Sequence, residues 1–305
     1  MKQYWIDVYK GFGIITVTMA HIIPEYKFFY LFHMPMFFFL AGYTLHPIVA
    51  HKTFIVRKSK RLLIPHLGFF LLLLDMAGIF LPYQANESVI QIVKHYVYDT
   101  ESLIYDYGVF WYMPVLFISL VMCNVLINNR LSPIYWVTIL YVFSIMLELF
   151  HISTFQSIQN VPLACTYILI GYQCRSFTAR CFCTCTTVVL SIALLIALYF
   201  LPDRYLMDMK HTNMGIPVLS TLLSLLSIGA VIVISEFLQN YKVLYVVLSA
   251  IGSASIVIMY LHQFIHYRLE DFLPASLLAL VSLLIPTFLY FSYKFIFNHG
   301  SKSTH

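Results

Sequence analysis

At 305 residues, 61% hydrophobic and only 10% charged, with a mean hydropathy of +0.83, the chain has too little polar surface to clothe a soluble globule. That excludes an ordinary cytosolic enzyme and a secreted domain, and the continuous apolar runs exclude an outer-membrane barrel, whose strands would alternate. The net charge of +5 does not point to nucleic acid, because no basic segment with interleaved aromatic residues lies outside the apolar blocks.

The apolar blocks run to roughly 18–23 residues, enough helix to cross a hydrocarbon core about 30 Å thick. Spans are predicted at 4–23, 28–49, 62–82, 108–128, 132–151, 160–176, 185–201, 213–236, 244–265 and 274–297. The expectation is an all-α integral membrane protein, a bundle of about ten transmembrane helices. With neither an internal repeat nor a linker, residues 1–305 read as one membrane domain. In the first span Asp7 and Lys10 interrupt the apolar run, Tyr4 and Trp5 suit an interfacial anchor, and no small-residue cleavage site follows, so it reads as a retained span.

An even number of spans puts both termini on one side, and the basic residues choose that side. With the N-terminus inside, Lys2, Lys10, Lys52, Arg57, Lys58, Lys60, Arg61, Arg130, Arg175, Arg180, Lys242, Lys294 and Lys302 are internal, against Lys27, Lys94, Arg204, Lys210 and Arg268 outside, thirteen to five. Both termini are therefore expected in the cytoplasm. The cysteines, Cys123, Cys165, Cys174, Cys181, Cys183 and Cys185, lie in or beside apolar runs and read as reduced thiols. Cys181, Cys183 and Cys185 form a C-x-C-x-C string, but no second set of spaced ligands accompanies it, and no metal is predicted.

An ionisable group among lipid tails costs several kcal/mol by most estimates, so each one inside a span is a functional candidate or a polar contact within the bundle. Threading the spans across the membrane brings His21, His33, Asp75, Glu148 and His262 toward one outer layer, with the indole of Trp111 at the same level. Such a set suits a proton path, a metal site or an acid/base centre. No pair among those histidines and carboxylates has the i, i+3 or i, i+4 spacing that would set two metal ligands on one helical face. For Asp75 and Glu148 a hydrogen bond to a neighbouring helix competes evenly with function, and for His262 it is favoured.

Between Lys10 and His21 stand ten residues, and this basic-x10-histidine spacing resembles the first-span signature of the membrane acyltransferase-3 family. The run from Phe32 through His33, Met34 and Pro35 to Ala41, Gly42 and Tyr43 is similar to that family's second span. Arg57-Lys58-Ser59-Lys60-Arg61 followed by Leu62-Leu63-Ile64-Pro65 resembles its basic stretch before the third, and Phe110-Trp111-Tyr112-Met113-Pro114 and Tyr260-Leu261-His262 resemble later segments. The likeness is dense over 4–66, thinner afterwards, and closest to the sugar O-acetylase branch.

The resemblance implies a ten-helix enzyme of the bacterial inner or plasma membrane that takes an acyl group from cytoplasmic acetyl-CoA. The group passes to a hydroxyl of a polysaccharide or lipid-linked sugar outside, with membrane lipids as its surroundings. It implies that His21 is catalytic and that Lys10 and the stretch Arg57, Lys58, Lys60 and Arg61 serve the donor. Family members often carry two arginines in that stretch where this chain mixes lysine and arginine, and lysine offers a point charge instead of a bidentate fork. Chemically, a sugar hydroxyl needs a base within reach as it attacks the thioester, and the developing oxyanion needs donors such as the Trp111 indole or His33. The phosphates of CoA must stay at the inner surface, where the basic cluster stands, although positive-inside topology alone also accounts for that cluster. A proton-coupled transporter using the buried histidines and carboxylates is the rival from another class. A catalytically idle membrane partner is a third.

Overall fold

The computed structural model describes residues 3–80, 88–129, 131–176 and 184–300. Within them the backbone forms twelve α-helices and no strand, apart from one isolated bridge between Asp208 and Asn213. A chain that leaves water has to satisfy its backbone N–H and C=O groups within each segment, and helices do this. Lys2, Arg130, Arg180, Cys181, Cys183 and Lys302, used above for topology or for the cysteine string, lie outside the described residues.

In chain order the helices are α1 (Trp5–Ile22), α2 (His33–Tyr43), α3 (His51–Phe80), α4 (Val89–Tyr98), α5 (Tyr112–Ile127) and α6 (Pro133–Leu149). After them come α7 (Val161–Cys174), α8 (Cys185–Leu198), α9 (Pro217–Leu238), α10 (Lys242–Ser253), α11 (Ser255–Leu269) and α12 (Ala275–Gly300). Three helical runs among the described residues are long and apolar enough to cross a membrane: Tyr105–Ile127, Pro217–Leu238 and Ala275–Ile296. The α10–α11 pair makes a fourth if it is counted as one span bent by 75°. Large apolar side chains such as Phe143 on α6, Leu190 on α8 and Phe288 on α12 are exposed, as lipid-facing helices require.

Two predicted spans take a different form. The run 28–49 is α-helical only over the 11 residues of α2, after a 3-10 segment at Pro24–Leu31. That helix rises about 16 Å, short of a full crossing. The run 244–265 is two helices meeting at Ala254, whose N–H reaches back to the carbonyls of Ala250 and Ile251. Glycine and serine surround the break, at Gly252, Ser253 and Ser255, and such pairs are a usual cause of sharp kinks. The basic stretch 57–61 is itself helical, because α3 begins at His51, well ahead of the span predicted from residue 62.

The chain divides into two compact units. The first comprises Met1–Phe29, Ala179–Leu201 and Leu226–His305, and the second Tyr30–Thr178 and Pro202–Leu225. In the first, α1 packs on α10, α11 and α12, and α11 packs on α12. A Cβ placed on Gly11 of α1 would overlap the carbonyl of Leu248, and one on Gly252 would overlap the carbonyl of Asp7. Glycines on both partners therefore let the backbones of α1 and α10 touch.

The second unit repeats the device. Gly42 of α2 lies against the carbonyl of Ile168, and Gly171 of α7 against the carbonyl of Phe39, so α2 and α7 meet backbone to backbone. Without a hydrophobic force between helices in lipid, such small-residue crossings are a main source of packing. α7 is buried along most of its length and also packs on α5 and α6. Cys123 on α5 and Cys165 on α7 are buried free thiols, each donating to a carbonyl of the facing helix, Cys165 O at 3.8 Å and Ser119 O at 3.6 Å.

The start of α3 is held by a buried asparagine on α5. Asn124 accepts from the Ile48 N–H at 2.8 Å, donates to the Ile48 carbonyl at 3.0 Å and stands 3.0 Å from His51 Nδ1. Asn128, one turn on, adds a bond to the same carbonyl at 3.3 Å. Replacing Asn124 by leucine leaves the Ile48 carbonyl to Asn128 but takes the acceptor from the Ile48 N–H, at about 1–3 kcal/mol for a group left unsatisfied. The variant is expected to melt earlier and to be cut faster by trypsin within 57–61, and wild-type values in both assays would refute the clamp.

Candidate functional site

On α1, Lys10 and His21 are eleven residues apart, three full helical turns plus about 20°, so they share one face over a rise of about 16 Å. Lys10 Nζ is 3.2 Å from Asp7 Oδ1, one turn earlier. His21 stands half-buried in the last turn of α1. Its ring meets that of His262 on α11, with centroids 5.4 Å apart and planes at 39°. His262 is 0% exposed, and its Nδ1 lies 3.0 Å and 2.9 Å from the carbonyls of Ile258 and Met259. The first unit thus joins two predicted polar residues, His21 and His262, above the Lys10–Asp7 pair.

An apolar cavity of about 710 Å³ in the same unit has Phe12, Ile23, Tyr26, Phe29, Ile196 and Tyr199 among its lining residues. Phe12 lies two residues from Lys10, about 200° around the helix. The cavity therefore runs along the side of α1 away from the Lys10–His21 face.

The other predicted residues belong to the second unit. His33, 2% exposed, opens α2 with its ring edge-on to Tyr30 at 4.8 Å. Trp111 is buried at the head of α5 beside Tyr112. Glu148, near the end of α6, accepts the Met214 N–H at 2.7 Å and so ties the loop before α9 to α6. Asp75 is exposed on α3. Arg57, Lys60 and Arg61 are exposed on the first turns of α3, and Lys58 is half-buried over the Phe54 ring at 5.4 Å. Ahead of the apolar part of the helix, burial lowers the Lys58 ammonium from its ordinary range, with Arg61 and Arg57 adding to the effect.

Sequence reasoning missed several groups. His66, buried on α3, lies against Tyr96 of α4 at 5.4 Å and Phe110 at 5.2 Å. The rule that flags an ionisable residue inside a span applied to it as much as to Asp75. Helix α4 itself begins at a capping box, Ser88 with Gln91, a pattern visible in the residue order as Ser-x-x-Gln ahead of an apolar run.

Also missed was the lacing of the second unit's connecting loops. Glu101 accepts from Gln159 at 2.7 Å and lies 3.4 Å from His211, while Asn160 donates to the Lys210 carbonyl at 3.3 Å. Thr100 pairs with Ser157 at 2.9 Å, and the Lys210 ammonium donates to the Leu103 carbonyl. Burial lowers the Lys210 ammonium from its usual value, and Asp208, Glu101 and Asp99 pull it back up. Five non-glycine residues of these loops, Tyr105, His151, Gln156, Ser157 and Thr212, have φ between 49° and 55°. Each such position costs on the order of 1–3 kcal/mol, held by its surroundings. Among the described residues no group of three His, Cys, Asp or Glu side chains is placed to hold a metal ion.

These features define a helical membrane protein with a histidine pair at the end of its charged first helix and a helical basic segment in its second unit. The acyltransferase-3 family, described as an acyltransferase domain, matches residues 3–297, and the chain belongs to that family of membrane acyltransferases. It is also 27% identical over 146 residues to the nodulation protein NolL of Mesorhizobium japonicum, an alignment covering 41% of this chain. The matched part spans 36% of that relative's length. No solved structure matches.

Proposed function

We propose that the protein is an integral-membrane O-acetyltransferase. It carries acetyl groups from cytoplasmic acetyl-CoA to a hydroxyl of a cell-surface or lipid-linked carbohydrate, with His21 as general base. The observation that carries this reading is the His21–His262 ring contact on a helix that also bears Lys10, in a chain of acyltransferase family. The proposal includes ten crossings of one membrane domain with both termini inside, as the thirteen-to-five distribution of Lys and Arg favours.

In the reaction, the His21 lone pair takes the hydroxyl proton as the oxygen attacks the thioester carbon. The C–S bond then breaks, and the thiolate leaves with the proton that His21 returns. His33 and Trp111 are assigned as donors to the oxyanion, and Glu148 as the residue that positions the Met214 loop. Lys10, Arg57, Lys58, Lys60 and Arg61 are assigned to the phosphates of the donor, which stay at the membrane face while the thin pantetheine arm enters. Acceptor recognition is assigned to the laced loops around Glu101 and Lys210.

The test is the purified protein in detergent or nanodiscs with labelled acetyl-CoA and a glycan acceptor. Label is expected in the glycan, and CoA is expected to raise the melting temperature. Arg61→Ala is expected to raise the KM for acetyl-CoA roughly tenfold, the loss of about one charge-assisted hydrogen bond, with the KM for the glycan unchanged. Equal losses in both would remove Arg61 from the donor site.

The 75° break between α10 and α11 favours a second reading, a proton-coupled transporter or exporter, since transporters build substrate sites from interrupted helices. A transporter of an unrelated solute gains no stability from CoA. A melting temperature indifferent to CoA, with no label transferred, would therefore turn the choice toward transport.

A further inference from the structure

We propose that His262 is a positioning residue for His21: it accepts a hydrogen bond from one nitrogen of the His21 ring and so presents the other nitrogen to the acceptor hydroxyl. The inference rests on the assignment of His21 as base, made above. Its starting point is the way His262 is held. Its Nδ1 meets the carbonyl oxygens of Ile258 and Met259 at 3.0 Å and 2.9 Å, which only accept hydrogen bonds. The proton of the neutral ring therefore sits on Nδ1, and the lone pair is on Nε2. Two carbonyls of its own helix also fix the ring's direction, and burial to 0% exposure keeps it there.

His21 reaches this ring from α1, which packs against α11. With centroids 5.4 Å apart, the proposal requires a turn of the His21 ring about its side-chain bonds to bring one of its nitrogens within hydrogen-bond reach of Nε2. Catalytic hydrogen bonds commonly close only in the substrate complex. A lone histidine near a hydroxyl presents either tautomer. One whose N–H is taken by a fixed acceptor presents its lone pair on the opposite side of the ring. When His21 takes the hydroxyl proton, the imidazolium has two N–H groups. The one toward His262 stays bonded there, and the other carries the proton that goes to the departing thiolate, so no net proton passes to His262.

A ring that merely fills space is replaceable by another ring, whereas an acceptor is replaceable only by an acceptor. His262→Phe keeps the volume and loses the lone pair, and it is expected to lower kcat by about 10–100-fold, the usual scale for residues that orient a functional group. The KM for acetyl-CoA stays as in the wild type. His262→Gln places an amide oxygen near the position of Nε2 and is expected to recover part of that kcat. If His262→Phe gives no folded protein, His262→Asn serves in its place, because its amide reaches the position of Nδ1 but not of Nε2, and its kcat is expected to stay low.

Wild-type kcat in the Phe or Asn variant would overturn the proposal. So would equal losses in the Gln variant and its partner that track a fall in melting temperature. His21→Ala is run beside them. If it is inactive while His262→Phe is fully active, only the positioning role fails. If His21→Ala itself retains full transfer, the base assignment fails as well.

Discussion

His21→Ala is expected to lose acyl transfer, with kcat falling by about 10²–10⁴-fold, the range that a positioned general base contributes. Its donor binding is expected to survive, because the groups assigned to the phosphates of CoA are Lys10 and the basic turns of α3, not the imidazole. The variant should therefore show the wild-type rise in melting temperature with CoA and no label in the glycan. Geometry sets His21 apart from His266 of the same unit. It ends the helix that bears Lys10 and lies on the same face, and the carbonyl end of α1 favours the positive charge that forms there during proton transfer. His266, by contrast, lies 3.3 Å from Glu270 on its own helix, and His266→Ala is expected to transfer label as the wild type does. Undiminished transfer by His21→Ala would remove the base from the mechanism.

The largest structural effect is expected at the glycine crossings. Gly42→Leu places a side chain where the Ile168 carbonyl already stands, and Gly11→Leu does the same against Leu248. Overpacking a core usually costs about 1–3 kcal/mol because flexible side chains give way. Here the obstacle is backbone, so the helices must part, and each pair loses its line of contact. Both variants are expected to vanish from the monodisperse detergent-extracted fraction.

Gly68 on α3 and Gly229 on α9 have nothing within 4 Å of a Cβ. Gly68→Leu and Gly229→Leu are therefore expected to yield wild-type amounts, helped slightly by leucine's better helix propensity. Size-exclusion profiles of the four variants decide the matter. If Gly42→Leu and Gly11→Leu elute as the wild type does, the crossings are looser than described.

Part of the candidate site's layout was legible in residue order. Lys10 and His21, ten residues intervening, carry their shared face in the helical period itself. The basic turns of α3 and the Ser88–Gln91 cap are equally local patterns. Other features depend on partners far away in the chain. Asn124 reads as an ordinary polar residue in an apolar run until Ile48 and His51 are beside it. Glu148 reads as a candidate acid or base, and only the fold shows the Met214 N–H on its carboxylate. The five residues at positive φ have no glycine to announce them, and the long-range hydrogen bonds at Gln156, Ser157 and Thr212 leave no local signature.

The residue sequence by itself determined that the protein is helical and membrane-embedded, because hydropathy and helical period are local properties that lipid enforces on any chain of this composition. It also determined the family, through motifs whose order and spacing survive without coordinates. Only the tertiary structure decided that 28–49 shortens to α2, that 244–265 breaks at Ala254, and that the ring of His262 meets that of His21. A break or a ring contact is set by what the neighbouring helix presents, such as the Asp7 carbonyl against Gly252, and hydrophobic pattern along one segment has no knowledge of that neighbour.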